Sequence, residues 1–344
     1  MRLIVLFLFL CCSAVVYQSW KTTPAAVKKT AATPVAPTTN ILFLSSDGGS
    51  NWQELNRGLP EHLPVNDVFA QNGEVFLGLN AGGVYHSISP ESGLWEREEL
   101  GDMFLNLGGQ RSWDAVTGIF PGASGPYATV YQGGFFRKMP GTALWMPMDG
   151  TLKDKEVHTV VENPDGTLLV ACPSGIYKSA NQGKSWNQVF EKGWVNNLVE
   201  VDGVLLGSGI CGLLRSTDRG ETWNKISTEI GTVYPVHTPE GGPNAVWVAA
   251  RQRLDDNTLR MRSSNDGGLS WQSMEDRTWP FENIFDLKQA GNSLFCSHQA
   301  GISRSVDGGK TWELVRKAPN DERTFYRLAV SGTTLFAAIV QSGC

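Results

Sequence analysis

From Ile41 onward the chain alternates short apolar runs with polar clusters rich in Gly, Asp, Asn and Ser. The runs are too short for helices and read as strands, with the clusters as the turns between them. One cluster recurs. Ser305-Val306-Asp307-Gly308-Gly309-Lys310-Thr311-Trp312 lies between Gly-Ile-Ser-Arg and Trp-Glu-Leu-Val, and its form is Ser-x-Asp-x-Gly-x-x-Trp. The same positions hold Ser45, Asp47, Gly49 and Trp52; Ser216, Asp218, Gly220 and Trp223; and Ser264, Asp266, Gly268 and Trp271. Ser179, Asn181, Gly183 and Trp186 repeat the form with Asn for Asp. Two further stretches, Ser89 to Trp95 and Gly141 to Trp145, keep the Trp but lose the box. Gly supplies backbone conformations closed to other residues and the Asp carboxylate accepts turn N–H groups, so each box predicts a hairpin turn within a repeat.

The box-position tryptophans Trp52, Trp95, Trp145, Trp186, Trp223, Trp271 and Trp312 are spaced 43, 50, 41, 37, 48 and 41 residues apart. A period of that size with four short strands per unit predicts a β-propeller. After Trp312 there remain 32 residues, and Ile41 to Trp52 adds 12, so the two ends together make one more repeat. Phe325 to Val330 and Thr334 to Val340 then supply the inner strands of a last blade, and Ile41 to Leu44 and Trp52 to Leu55 its outer pair. The fold class expected is all-β, a seven-bladed propeller of four-stranded antiparallel blades, closed by pairing N-terminal outer strands with C-terminal inner ones. Closure removes the exposed edges of an open stack.

The box resembles the Asp-box, or BNR, repeat of sialidases, sortilin-type receptors and photosystem II stability and assembly factors. The layout from Asn40 onward is most similar to single-domain exported proteins like the assembly factors. That resemblance implies a scaffold that binds partner proteins through one face, in those factors an arginine-rich one. Arg251, Arg253, Arg260 and Arg262 are the dense basic cluster here. Resemblance to sialidases would imply three substrate-binding arginines, a tyrosine nucleophile and an Arg-Ile-Pro stretch on a six-bladed ring. The repeat count here is seven, Arg-Ile-Pro does not occur, and neither the arginines nor Tyr326 map onto that motif. No catalytic residue is therefore assigned, and the same repeat serves hydrolases and binding proteins.

The first residues change the picture outside the ring. Met1-Arg2 followed by apolar Leu3 to Val16 reads as a secretory signal or uncleaved anchor within residues 1–20. Residues 21–39, built from Ala, Thr, Pro, Lys and Val, read as a solvated linker to a propeller spanning 40–344. The expected localisation is exported, whether periplasmic, extracellular or membrane-tethered facing outward, with membrane contact only through the N-terminal segment if it is uncleaved. Residues 40–344 carry 25 basic and 34 acidic residues, net −9, which argues against a nucleic-acid surface. Cys172, Cys211, Cys296 and Cys344 lack paired metal-ligand spacing, so neither metal nor cofactor is expected; a Cys172–Cys211 disulfide between neighbouring repeats is the alternative to small buried thiols.

Candidate chemistry falls on the face opposite the boxes, made by the between-blade loops and by those joining second to third strands. Its largest insertions are Glu96 to Asp114 and Arg251 to Arg260. Trp113, Trp194 and Trp279 fall in between-blade loops there, joined by Tyr234 and Tyr326 at strand starts. Such an aromatic rim can hold an apolar peptide or a sugar, or can cap the grooves between blades. Polar candidates on the same face are Asn66, Asp67, His158, Asn196, Asn197, Asp286 and Arg327, with Arg251, Arg253, Asp255 and Asp256. His158 is the mouth residue whose ordinary pKa lies near neutrality. The expected activity is non-catalytic binding of a protein partner by a monomer, with a carbohydrate ligand or a glycoside hydrolase as the alternative.

Overall fold

The computed structural model describes residues 41–61, 63–80, 83–98, 100, 115–228, 230–235, 246–251, 259–274, 281, 283–319 and 323–341, with the backbone alone at 230, 246–251, 259 and 260. The signal and linker assigned to residues 1–39 lie outside this range. The strands form seven four-stranded sheets, each antiparallel throughout. Blade 1 runs from an inner strand Val65–Gln71 to an outer strand Glu96–Glu98, blade 2 from Val116–Phe120 to Trp145–Pro147, and blade 3 from Thr159–Glu162 to Asn187–Phe190. Blades 4, 5 and 6 begin at Val195–Val201, Ile230–Pro235 and Ile284–Ala290. Blade 7 is made of both chain ends: Thr324–Ser331 and Thr334–Gln341 inside, Leu42–Ser45 and Gln53–Glu54 outside. The closing register pairs Leu42 with Ala338, Phe43 with Ala337 and Leu44 with Phe336.

The core lies in the grooves between blades, where residues alternating along each strand meet the next blade. Tyr127, Phe135 and Met148 of blade 2 pack on Val160, Leu168, Val170 and Trp186 of blade 3. Phe135 and Trp186 meet edge to face, 5.6 Å apart at 74°.

The recurrent turn is a closed hydrogen-bond unit. At Ser305, its hydroxyl donates to Asp307 Oδ1 at 2.8 Å while accepting the Gly309 N–H at 2.8 Å. Asp307 Oδ1 also accepts the N–H groups of Lys310 and Thr311 at 3.0 and 2.9 Å, and the Trp312 indole N–H donates to Gly309 O at 3.2 Å. Gly308 and Gly309 take φ of 69° and 84°, which a β-carbon would strain. Asn181 builds the same turn without charge: its Oδ1 accepts from Ser179 Oγ and the Ser185 N–H, at 3.0 and 2.9 Å.

In three of the five boxes a basic residue just before the serine ties its blade to the turn of the next. Lys178 Nζ donates to Arg219 O at 2.9 Å, Arg215 Nε to Gly267 O at 2.8 Å, and Arg304 Nη1 to Gly48 O at 2.8 Å. In each case the acceptor is the carbonyl that follows the box Asp of the next blade. These carbonyls have no strand partner, so the cation satisfies an acceptor that the turn leaves open.

Blades 1 and 2, which lack the box, are joined differently. Lys138 stands where other third strands end in the box serine, and its Nζ donates to Glu98 Oε1 of blade 1 at 2.5 Å and to Thr142 O at 2.7 Å. Glu98 Oε2 accepts the Trp145 indole N–H at 2.9 Å, and His86 Nδ1 lies 3.1 Å from Oε1. Burial pushes the Glu98 pKa up, but these hydrogen bonds and the Lys138 charge outweigh it and hold the carboxyl below its ordinary value.

The boxes make stability depend on acid. Burial is the largest single influence on Asp218, Asp266 and Asp307 and raises their pKa, but hydrogen bonds from Thr222, Ser270 and Thr311, from the box serines and from turn N–H groups together bring each down to about 2 from 3.8. A carboxylate depressed in the folded state stabilises above its unfolded pKa, and that contribution is lost as pH falls through the folded value. Urea midpoints are therefore expected to drop between pH 4 and pH 2. A triple variant with Asp218→Asn, Asp266→Asn and Asp307→Asn should show a flatter acid profile, since Asn181 already closes one turn uncharged. An unchanged slope in the triple variant would place the acid sensitivity elsewhere.

Candidate functional site

The face opposite the boxes is best defined at blades 3 and 4. The segment leading into blade 3 is pinned to that blade's hairpin. Asp154 Oδ2 accepts the Ser174 N–H at 3.0 Å and its hydroxyl at 2.5 Å, and the Glu156 N–H donates to Asp154 Oδ1 at 3.1 Å. The His158 N–H then bonds Ala171 O at 2.9 Å, so the inner strand proper begins at Thr159. Glu156 and His158, two apart on extended chain, project to the same side. His158 Nε2 lies 3.2 Å from Glu156 Oε1.

Trp194 completes the group from the segment entering blade 4. Its carbonyl accepts the Cys211 N–H of the blade 4 hairpin at 3.5 Å, while its ring reaches back across the groove. The indole N–H donates to His158 Nδ1 at 3.3 Å, with ring centroids 5.5 Å apart at 42°. An indole N–H only donates, so Nδ1 must be the acceptor and the proton of neutral His158 sits on Nε2, facing Glu156. Trp194 nevertheless stays 40% exposed, and Ile210 on the neighbouring hairpin is 61% exposed. The result is an aromatic and an aliphatic side chain presented to solvent from a backbone fixed by hydrogen bonds.

Nearer the axis, several inner strands bulge at their second residue. Asn66, Thr117, Asn196 and Phe285 each stand out of register with the second strand. The bulge aims the following side chain at the next blade. Asp67 Oδ2 accepts the Ile119 N–H of blade 2 at 2.8 Å, and Asp286 Oδ2 the Leu328 N–H of blade 7 at 2.9 Å. Asn66 Nδ2 likewise donates to Val116 O at 3.1 Å. Arg327 Nη1 donates to Phe285 O at 3.2 Å. Burial raises the Asp67 pKa, and the positive charge of Arg327 is the largest opposing influence. These polar residues therefore hold blades together at the axis. Asn197 occupies the position equivalent to Asp67 and Asp286, with its buried Oδ1 unpartnered.

The aromatic rim expected from sequence is only partly assembled. Tyr326 does not reach it: at 3% exposure it lies in the blade 6–7 groove, its hydroxyl accepting from Arg316 Nε at 3.0 Å and donating to Lys317 O at 3.1 Å. Strand alternation turns its side chain toward Phe43, 6.2 Å away. Tyr234 packs partly buried against the cluster of Met261, Met274 and Phe281, and burial raises its phenol pKa. Asn196 is exposed beside Trp194. Trp113, Trp279, Arg253, Asp255 and Asp256 lie outside the described residues, as does the Arg251 side chain. Cys172, Cys211 and Cys296 are free thiols, and among the described residues no His, Cys, Asp and Glu group is arranged to hold a metal ion.

No protein-family model matches the chain, and no curated protein does. Solved structures do. The structure of YCF48 bound to D1 peptide is 16% identical with a TM-score of 0.54, and the match covers 81% of this chain and 94% of that one. A GH74 enzyme from Niastella koreensis is 13% identical with a TM-score of 0.54, covering 82% and 51%. The extracellular domain of a one-component system from B. thetaiotaomicron is 15% identical with a TM-score of 0.51; the match covers 81% of this chain but spans only 41% of that one. What the chain shares with YCF48, a GH74 enzyme and this extracellular domain is the propeller fold.

Proposed function

We propose that this chain is an exported, non-catalytic propeller that binds a protein partner through the face opposite its boxes, at blades 3 and 4. The observation that carries this reading is Trp194: a large aromatic ring, exposed beside Ile210, on a backbone tied to the blade 4 hairpin and with its N–H tied to His158. A pre-placed aromatic anchor binds with little ordering cost. The structure of YCF48 bound to D1 peptide supports a peptide occupant on a propeller of this fold.

The test pans a displayed peptide library against the full chain at pH 7.5 and repeats the binding with Trp194→Ala. Loss of an aromatic hot spot costs about 2 kcal/mol or more, so enriched peptides are expected to bind the variant at least about thirtyfold more weakly. Equal binding by the variant moves the site elsewhere. Absence of peptide enrichment together with retention on a glycan array replaces the reading with carbohydrate recognition.

A further inference from the structure

We infer that His158 is a proton-operated latch on Trp194, so that the aromatic anchor of blades 3 and 4 is held across the groove at neutral pH and let go in mild acid. The inference rests on the proposed role of Trp194 in binding and adds a regulation to that site.

The latch follows from donor and acceptor counting. Neutral His158 has one acceptor nitrogen, Nδ1, which takes the Trp194 indole N–H at 3.3 Å, and one N–H, on Nε2, facing Glu156 Oε1 at 3.2 Å. Protonation puts a hydrogen on Nδ1 as well. Two N–H groups then oppose each other over the Trp194 contact, while the Nε2 side becomes an ion pair with Glu156. The proton thus breaks one contact and strengthens the other. His158 stays with Glu156, and Trp194 is the partner released.

The surroundings favour a change centred on this pair. On the segment carrying His158, Asp154 is committed to Ser174, and Lys155 to Asp149; Lys153 is exposed. The adjoining hairpin contributes Cys172, whose thiol burial pushes up, with Asp154 and Glu156 adding to the shift. Glu191 and Lys192 on the Trp194 segment are both exposed, and Lys225 lies toward Cys211 on blade 4. Among these groups imidazole is the side-chain type whose unperturbed protonation falls in the mildly acidic range. Release concerns the ring alone, since the Trp194 carbonyl remains tied to the Cys211 N–H.

The deciding experiment needs no ligand. The full chain is labelled with 15N-tryptophan, the Trp194 indole signal is assigned with Trp194→Phe, and spectra are followed from pH 8 to pH 5. The expected result is a shift of the Trp194 indole N–H, with faster solvent exchange, at the same midpoint as the His158 ring protons. The His158→Gln variant, whose side-chain carbonyl accepts an N–H at every pH, should abolish the shift. A Trp194 signal that stays put while His158 titrates overturns the latch, as does a shift that survives in His158→Gln. A peptide selected at pH 7.5 should bind about threefold to tenfold more weakly at pH 5.5, the cost of re-ordering one freed side chain. If the indole signal switches but Trp194→Ala leaves peptide binding intact, the latch stands and the binding role of Trp194 fails.

Discussion

A chain lacking Ile41 to Asn56 is expected not to fold, while a permuted chain that begins at Arg57 and carries Ile41 to Asn56 after Gln341 is expected to fold. The missing stretch is the third and outer strand of blade 7. Leu42, Phe43 and Leu44 are all buried there, facing Ala338, Ala337 and Phe336. Each such side chain contributes about 1.5–3 kcal/mol by burial, so their loss together removes an amount comparable to the total stability of about 5–15 kcal/mol that a domain has. The deletion also strips Arg316 of the Phe43 ring that it covers at 3.5 Å, and leaves the strand Thr334–Gln341 as an open edge that invites aggregation. The permutant restores every one of these contacts. Its linker is short, because the Ile339 N–H bonds Ile41 O at 2.8 Å and the chain ends therefore lie close to the junction. Circular dichroism and size exclusion separate the outcomes: a folded, soluble deletion variant would show that closure is dispensable, and an unfolded permutant would show that chain order, not strand pairing, is what matters.

Closure was readable in the sequence because it is a matter of counting. The turns announce themselves through Ser, Asp, Gly and Trp at fixed offsets, and two fragments that sum to one period must meet. The blade-to-blade ties are not legible in the sequence, although Lys178, Arg215 and Arg304 stand in plain view at the position before the box serine. Periodicity says which side of a strand a residue faces, but not which carbonyl of the next blade is left open to receive it. The bulges at Asn66, Thr117, Asn196 and Phe285 were hidden for a related reason: one extra residue in a short strand leaves the apolar frame intact. At the candidate site, His158, Asn196 and Trp194 were legible as loop-face residues, whereas Glu156, Asp154 and Ile210 were not. Glu156 could have been found from its two-residue spacing to His158. Strand starts lie near the mouth, which points Tyr326 to the rim, but its hydroxyl is held by Arg316 Nε and the Lys317 carbonyl, partners that no local pattern indicates.

Glu98→Ala is expected to destabilise the protein by about 3–5 kcal/mol, the loss typical of breaking a buried ion pair by removing one partner. Glu98 and Lys138 are 2% and 7% exposed, so the variant leaves the Lys138 ammonium buried with only Thr142 O as acceptor. It also orphans the Trp145 indole N–H and one nitrogen of His86. Unpaired buried donors carry their full desolvation cost. Replacing both charges, with Glu98→Met and Lys138→Met, should recover much of the loss, because the neutral pair demands no counter-charge and the groove already holds Phe76, Phe136 and Trp145. Urea unfolding of both variants reads the difference. The comparison also tests why blades 1 and 2 can do without the box. If Glu98→Ala costs no more than an exposed substitution, the network does not stand in for the missing turns, and apolar packing between the blades suffices. If the double variant remains as unstable as the single one, the polar geometry itself sets the register of the two blades, since the third strand ending in Lys138 would then have lost its ion pair to the outer strand of blade 1.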